Sequence, residues 1–413
     1  MLLRKVLWRV ALCLLGLIAV TASMWQLFGQ TAQAPKKVSA GASSAAGTSA
    51  VNKPMDLNIP PVTGVADPYP TWNGVTVDQE NGYVIFSDLN RRGYFIYDRM
   101  AHSEGGEVTK PLKHVSGNKA GTGFVAGIQA DPAKRVIYIA ENDGPEMRTF
   151  SYDTDGNNPP QSLLATPHQL WGVALNRERR EIAVSVEELH AVLVYRQGAE
   201  KLEPPLRVIR GEQTGLADPH GIFMDSVNNE IVTVNHGNWR KYYPNTDHDK
   251  PPLIIPPSTG RFEQPSIRFH PILANGDVKA LRVIQGDKTT LDWPMQLDVD
   301  VAHNEIAVAN FGYDAISIFD RRAQGNVAPI REIRGPRTGI SGPVGVAIDE
   351  KNEEIWVANY GDHSAVVFPR NASGDVAPQR IIRNAPQGAE TCGFTNASSA
   401  TYDSKRQQIL VAN

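Results

Sequence analysis

One phrase recurs seven times along this chain: a short apolar strand closing on Asp or Asn, a polar turn, then a second apolar strand. The first strands occupy residues 74–78 (GVTVD), 127–131 (GIQAD), 172–176 (GVALN), 221–225 (GIFMD), 296–300 (QLDVD), 345–349 (GVAID) and 399–403 (SATYD). The second strands include EIAVSV, EIVTVN, EIAVAN, EIWVAN and QILVAN. Successive first strands begin 53, 45, 49, 75, 49 and 54 residues apart. A period of about 50 residues holding several short strands is the mark of a radial β-propeller, because one such unit cannot bury its faces alone and must stack on neighbours.

The unit at residues 345–383 reads as four strands, a to d: GVAID, EIWVAN, SAVVFPR and PQRIIR. The unit before it matches with QLDVD, EIAVAN, AISIFDR and PIREIRG. The c–d connections, RRAQGNVAP and RNASGDVAP, have turn chemistry. The long interval places an insertion at residues 237–264, between strands b and c of the fourth unit. The last unit ends after strand b. TGVADP at 63–68 repeats TGLADP at 214–219, so residues 55–59 are expected to supply a d strand to the C-terminal hairpin. The expected fold is all-β: a propeller of seven blades, six full and one composite closing blade, preceded by an N-terminal hydrophobic helix.

The chain of 413 residues suffices for one large propeller, and its formal net charge of −3 gives no reason to invoke nucleic acid. Three domains follow. Residues 1–30 carry Arg4, Lys5 and Arg9 ahead of an uncharged, mostly apolar run at 10–28, the pattern of a membrane anchor or a signal peptide. Ala32, Gln33 and Ala34 form a small-residue cleavage site, against which Pro35 counts. Residues 31–54 form an Ala/Ser/Gly-rich tether, and residues 55–413 the propeller. On either reading the propeller lies outside the cytoplasm, anchored to the membrane or secreted. Of the two cysteines, Cys13 lies in the apolar run, which leaves Cys392 without a disulfide partner.

In a four-stranded antiparallel blade the d–a and b–c connections emerge on the same face. That face collects Trp72, His168, Trp171, His220 and Trp293 from the d–a side, and Glu141, Glu187, Asn235, His236, Asn310, Asn359 and Tyr360 from the b–c side. The insertion adds Trp239, Arg240, Tyr242 and Tyr243, with Asp247, His248 and Asp249 behind them. Aromatic walls with convergent polar groups are the usual makings of a ligand site. The candidate ligand-binding residues are therefore Trp72, Trp171, His220, His236, Trp239, Arg240, Tyr242, Tyr243, Asn310, Asn359 and Tyr360. His220 and His236 stand out because the repeat does not ask for them. With His168 they offer three imidazoles to a divalent metal. The Asp that closes strand a reads as a hairpin Asx-turn, and the Asn of VAN as a turn cap. EELH at 187–190 sets a carboxylate near an imidazole, but no nucleophile elbow, HExxH or phosphate-cradling glycine loop is present.

GPVGVAIDEKNEEIWVANYGDHSAVVF and QLDVDVAHNEIAVANFGYDAISIFD resemble NHL-repeat and related six- or seven-bladed bacterial propellers. The resemblance implies the fold for most of residues 56–413. It also implies two kinds of activity: interaction modules, and metal-dependent lactonases or lyases whose ion is held by Glu, Asn and Asp at loop ends, here Glu141, Asn235 and Asn310. The reading that follows is a membrane-tethered binding or scaffold propeller whose partner is a protein, peptide or glycan. Its alternative is a metal-dependent hydrolase or lyase with a divalent ion at the channel mouth.

Overall fold

The computed structural model describes residues 67–241, 260–389, 391, 399–403, 405 and 408–412. The expected anchor, the tether, residues 55–59, Tyr242 and Tyr243 lie outside them. Six four-stranded antiparallel sheets form six blades. Their innermost strands are Trp72–Asp78, Val125–Asp131, Leu170–Asn176, Pro219–Asp225, Pro294–Asp300 and Pro343–Asp349, here strand a of blades 1 to 6. Each a strand packs against the next, and that of blade 6 packs against that of blade 1, so the ring closes with six members. Among the described residues no helix is long and apolar enough to cross a membrane.

The expectation of seven blades is corrected here. At the seam, Trp72, Phe86 and Tyr97 of blade 1 share one core with Ala347, Trp356 and Val367 of blade 6. That contact leaves no gap for another blade. The seventh copy of the phrase forms a two-stranded sheet, Ser399–Asp403 with Gln408–Ala412, hydrogen-bonded within itself.

The recurrent glycine of strand a follows from the crowding of the inner ring. A Cβ on Gly127 would come within 2.2 Å of the Trp171 carbonyl oxygen, and one on Gly172 within 2.5 Å of the His220 carbonyl oxygen. The Asp closing strand a does make the expected turn: Asp78 Oδ1 accepts the Glu80 and Asn81 N–H groups at 2.9 Å.

Two devices join neighbouring blades. A Glu opening strand b takes an Arg from strand d of its own blade and another from the next blade. Glu230 receives Arg282 and Arg321, Glu305 receives Arg331 and Arg370, and Glu354 receives Arg380 and Arg99. The last trio spans the seam. The second device is a clasp at the rim of the outermost strand. Gly211, Gly286 and Gly335, with φ of 130 to 140°, lie against Asp277, Asn326 and Asp375 from the next blade's c–d loop. Those side chains accept N–H groups of Gln213, Lys288 and Arg337 at 2.7 Å. The GNV and GDV connections are therefore inter-blade clasps as well as turns. The seam uses a different contact, in which Ser103 N–H donates to the Ile381 carbonyl and Thr109 N–H to that of Arg383.

Candidate binding site at the blade 3–blade 4 rim

Six equivalent backbone hydrogen bonds organise the rim carrying the d–a and b–c connections. In each blade the N–H just after strand b donates to the carbonyl just before strand a. The donors are Leu89, Asn142, Glu187, His236, Phe311 and Tyr360. Position by position they divide the ring. Leu89, Phe311 and Tyr360 join Trp171, Met295 and Val344 in an apolar cluster. Asn142, Glu187 and His236 make the sector of blades 2 to 4 polar.

The last residue of strand b supplies a second tie, its side chain accepting an N–H that precedes strand a. Asp88 takes Thr71 at 2.8 Å, Glu141 takes Gly123 at 2.9 Å, Asn235 takes Ala217 at 3.2 Å, Asn310 takes Asp292 at 2.7 Å and Asn359 takes Ser341 at 3.2 Å. Blade 3 has Val186 there and cannot form this bond. Its next residue, Glu187, instead meets Asn142 Nδ2 at 3.2 Å and His220 Nε2 at 3.4 Å.

The residue before strand a adopts the left-handed backbone region in four blades: Gln169, Asp218, Trp293 and Gly342, with φ of 63, 57, 48 and 52°. Glycine occupies that region freely, whereas other residues pay about 1–2 kcal/mol. Blade 6 uses the glycine. Blades 3, 4 and 5 place side chains there that bear on one site. Trp293 remains 44% exposed at this unfavourable backbone, stacked 5.4 Å from His236. Strain of this kind is characteristic of functional positions.

Between blades 3 and 4 lies a cavity of about 530 Å³. Gln169, Glu187, Glu188, His190 and Asp218 form its blade side. The start and end of the insertion form its outer wall as a two-stranded stem, Asn238–Trp239 paired with Arg261–Phe262. The Arg261 guanidinium lies 3.8 Å over the Trp239 ring, and Arg240 pairs with Glu188. His190 ties the two sides together. Its Nδ1 accepts the Asp218 N–H at 3.0 Å, which leaves Nε2 to donate to the Arg240 carbonyl at 2.9 Å.

Behind the cavity runs a column of rings, stacked from His220 to Trp293 and tilted by 47° between Trp171 and His220. Trp171 lies 4.3 Å from His220, His220 3.5 Å from His236, and His236 5.4 Å from Trp293. Burial pushes the His220 imidazole down to about 3 and, together with neighbouring His220, holds His236 well below its usual range. Both rings are neutral at physiological pH. Burial and then the Asp218 charge hold the Glu187 carboxyl well above the carboxylate range.

Asp218, His220 and His236 place one ligand atom each within 4.8 Å of one another. Their rings nevertheless stack at an interplanar angle of 22°. Planes so nearly parallel and 3.5 Å apart do not meet within the 2.0–2.1 Å or so of a zinc–nitrogen bond. The rings must unstack before both can hold one ion. His168 is exposed on the surface, 3.0 Å from the Asp143 carbonyl, and Asp218 is the third member of this group in its place. The second expected metal set is engaged in its own blades: Glu141, Asn235 and Asn310 make the b-to-a ties, and Asn310 Nδ2 also donates to the Thr290 carbonyl at 2.8 Å. As they stand, the stacked His220 and His236 rings do not both reach one divalent ion.

Of the other candidates, Trp72 is fully buried, stacked 4.2 Å from Phe86 at the seam. Asn359 is a buried tie, and Tyr360 belongs to the apolar plug. Trp171, His220, His236, Trp239 and Arg240 do gather around the cavity and the column behind it. Sequence reading gave Glu187 no binding role and did not single out Gln169 or Asp218. The signals were present: SVEE where other units write VAN, and non-glycine residues at the position that blade 6 gives to Gly342.

No protein-family profile matches the chain, and no curated protein sequence matches it. Among solved structures, one described as the crystal structure of a nidogen/laminin complex is similar at 15% identity and a TM-score of 0.47, covering 76% of this chain and 96% of that one. The chain is a six-bladed β-propeller, as the closed ring of its own blades shows.

Proposed function

We propose that this protein is a binding module whose rim cavity between blades 3 and 4 takes up a segment of a partner protein or peptide. The observation that carries the reading is the placement of Gln169 and Asp218 at an unfavourable backbone in the wall of a cavity closed by the one large insertion, with Trp293 at the same backbone stacked on neighbouring His236. Blade geometry requires neither the insertion nor those side chains, since blade 6 completes the same connection with glycine. A concave wall that sets Trp239 and Phe262 beside Glu187, Asp218 and His190 suits a peptide side chain better than a flat surface does.

The test shortens the insertion. Replacing residues 237–264 by a Gly-Ser link matched to residues 312–314 removes the stem and leaves every blade strand in place. On an array of random octapeptides, the full protein should retain a subset of peptides and the shortened protein none, with the circular dichroism of the two superimposing. Equal retention by a folded shortened protein would move the site elsewhere on the rim. The tether is a separate part of this proposal. Arg4, Lys5 and Arg9 ahead of the apolar run should hold the full chain in the membrane fraction of cells, and a soluble product beginning near Pro35 would show cleavage instead.

A further inference from the structure

We infer that the cavity between blades 3 and 4 selects a cationic side chain, lysine or arginine, and seats its charged end between Glu187 and Asp218. This inference rests on the binding reading above and names the chemistry of what is bound.

The argument begins with charge balance. Elsewhere in the ring, Glu230, Glu305 and Glu354 are each matched by two arginines, and the buried Asp88 and Asp298 accept backbone N–H groups. The two cavity carboxylates have neither arrangement. Among the described residues, Glu187 is met by the Asn142 amide and the His220 ring, and Asp218 by the Asn238 amide at 2.9 Å and the rings of His220 and His236. Neither carboxylate forms an ion pair with a lysine or arginine there. The two imidazoles cannot supply the missing charge, because burial keeps them neutral. Arg240 is occupied by Glu188, and Arg261 by Glu212 and Glu263.

The walls extend the argument. Trp239 lines the cavity, and indole faces attract cations. Arg261 already lies over the Trp239 ring, which shows the ring in that use. An aliphatic stem along Trp239 and Phe262, with its charge at Glu187 and Asp218, makes use of both the apolar and the acidic lining. A bare divalent ion would satisfy the acids but not the aromatic wall, and the stacked imidazoles are not arranged to complete its coordination.

Proton linkage gives the inference a second signature. Asp218 and His220 from blade 4, Asn142 and Asp143 from blade 2, Gln169, Glu188 and His190 from its own blade, and Arg240 and Arg261 from the stem are the charged and polar groups around Glu187 and its cavity. Glu187 holds its proton above the usual carboxylate range, so a cation seated beside it expels that proton to solvent. Binding therefore tightens as pH rises through the raised Glu187 value, and Glu187→Gln abolishes this rise. In the unliganded protein the sign for stability is opposite. A raised value stabilises the fold below the unfolded carboxyl pKa and loses that contribution as pH rises. Glu187→Gln should therefore match the wild-type melting temperature in acid and exceed it at about pH 8, which also verifies that the variant folds.

The test uses four probes: the N-acetyl, N-methylamide derivatives of lysine, arginine, norleucine and citrulline. Indole N–H signals in proton–nitrogen spectra, with that of Trp239 assigned by Trp239→Phe, report occupancy. The expected result is saturable shifting of the Trp239 signal by the lysine or arginine probe, with norleucine and citrulline weaker by about tenfold or more. Glu187→Gln and Asp218→Asn should each weaken the charged probe by about tenfold. Equal binding of charged and uncharged probes, binding of none of the four, or unchanged affinity in both variants would overturn the inference. Insertion-dependent retention of octapeptides without a preference for basic residues would overturn it too, while leaving the binding reading intact. Retention that survives loss of the insertion would remove both.

Discussion

Glu354→Ala should lower the free energy of unfolding by about 3–5 kcal/mol, the cost of stranding buried charge. Glu354 is the acceptor at the seam, receiving Arg99 Nη1 from blade 1 and Arg380 Nη2 from its own blade, each at 2.8 Å. All three side chains are at most 17% exposed, so removing the carboxylate leaves two cations with little solvent to compensate them. Burial would raise the Glu354 carboxyl, but the hydrogen bonds and charges of Arg380 and Arg99 outweigh it and hold the group below its usual range. A depressed value stabilises the fold above the unfolded carboxyl pKa and loses that contribution as pH falls. The gap between wild type and variant should therefore narrow in acid. Urea titrations at neutral and acid pH measure both effects. The exposed pair Arg196–Glu203 is the control, and Glu203→Ala should leave the urea midpoint where it was. A Glu354→Ala protein as stable as wild type would mean that the seam does not depend on this trio.

Gly127→Ala should cost about 3 kcal/mol, the upper part of the range for overpacking a close-packed interior. The added carbon would stand 2.2 Å from the carbonyl oxygen of Trp171, and that neighbour is backbone, which cannot rotate away. The inner strands of blades 2 and 3 would have to part. Trp171 lies against the His220 ring, so the same variant should disturb the column behind the cavity. The Trp171 indole signal and the melting temperature should shift together. Full stability in Gly127→Ala would show that the inner strands separate at little cost.

Much of the blade was legible in the sequence because its rules are local. The Asp after strand a is followed by residues whose N–H groups it caps, and the period-two apolar pattern places the strands. The blade count was not legible in the same way. An a–b phrase declares a hairpin but not the sheet that the hairpin joins, and the copy at 399–412 pairs within itself. Closure between Trp72 and Trp356 is a contact across most of the chain, and no local phrase announces it. The site was half legible. Trp239 and the two histidines depart visibly from the repeat. Asp218 was hidden because TGLADP resembles TGVADP and reads as a linker, although its backbone is left-handed and its side chain faces the cavity. Glu187 was hidden by the opposite error. Its importance lies in what Val186 cannot do, and that becomes visible only when the five equivalent ties are compared.

In a ring of six, the junction between blades 3 and 4 is diametrically opposite the one between blades 6 and 1. Five junctions are continuous in sequence, and the sixth is made only when the two ends of the array meet. Were the contacts of that last-made junction broken, the ring would open there, and the cavity lies at the junction farthest from the break. A partner held there, as proposed above, would be the least disturbed by such an opening.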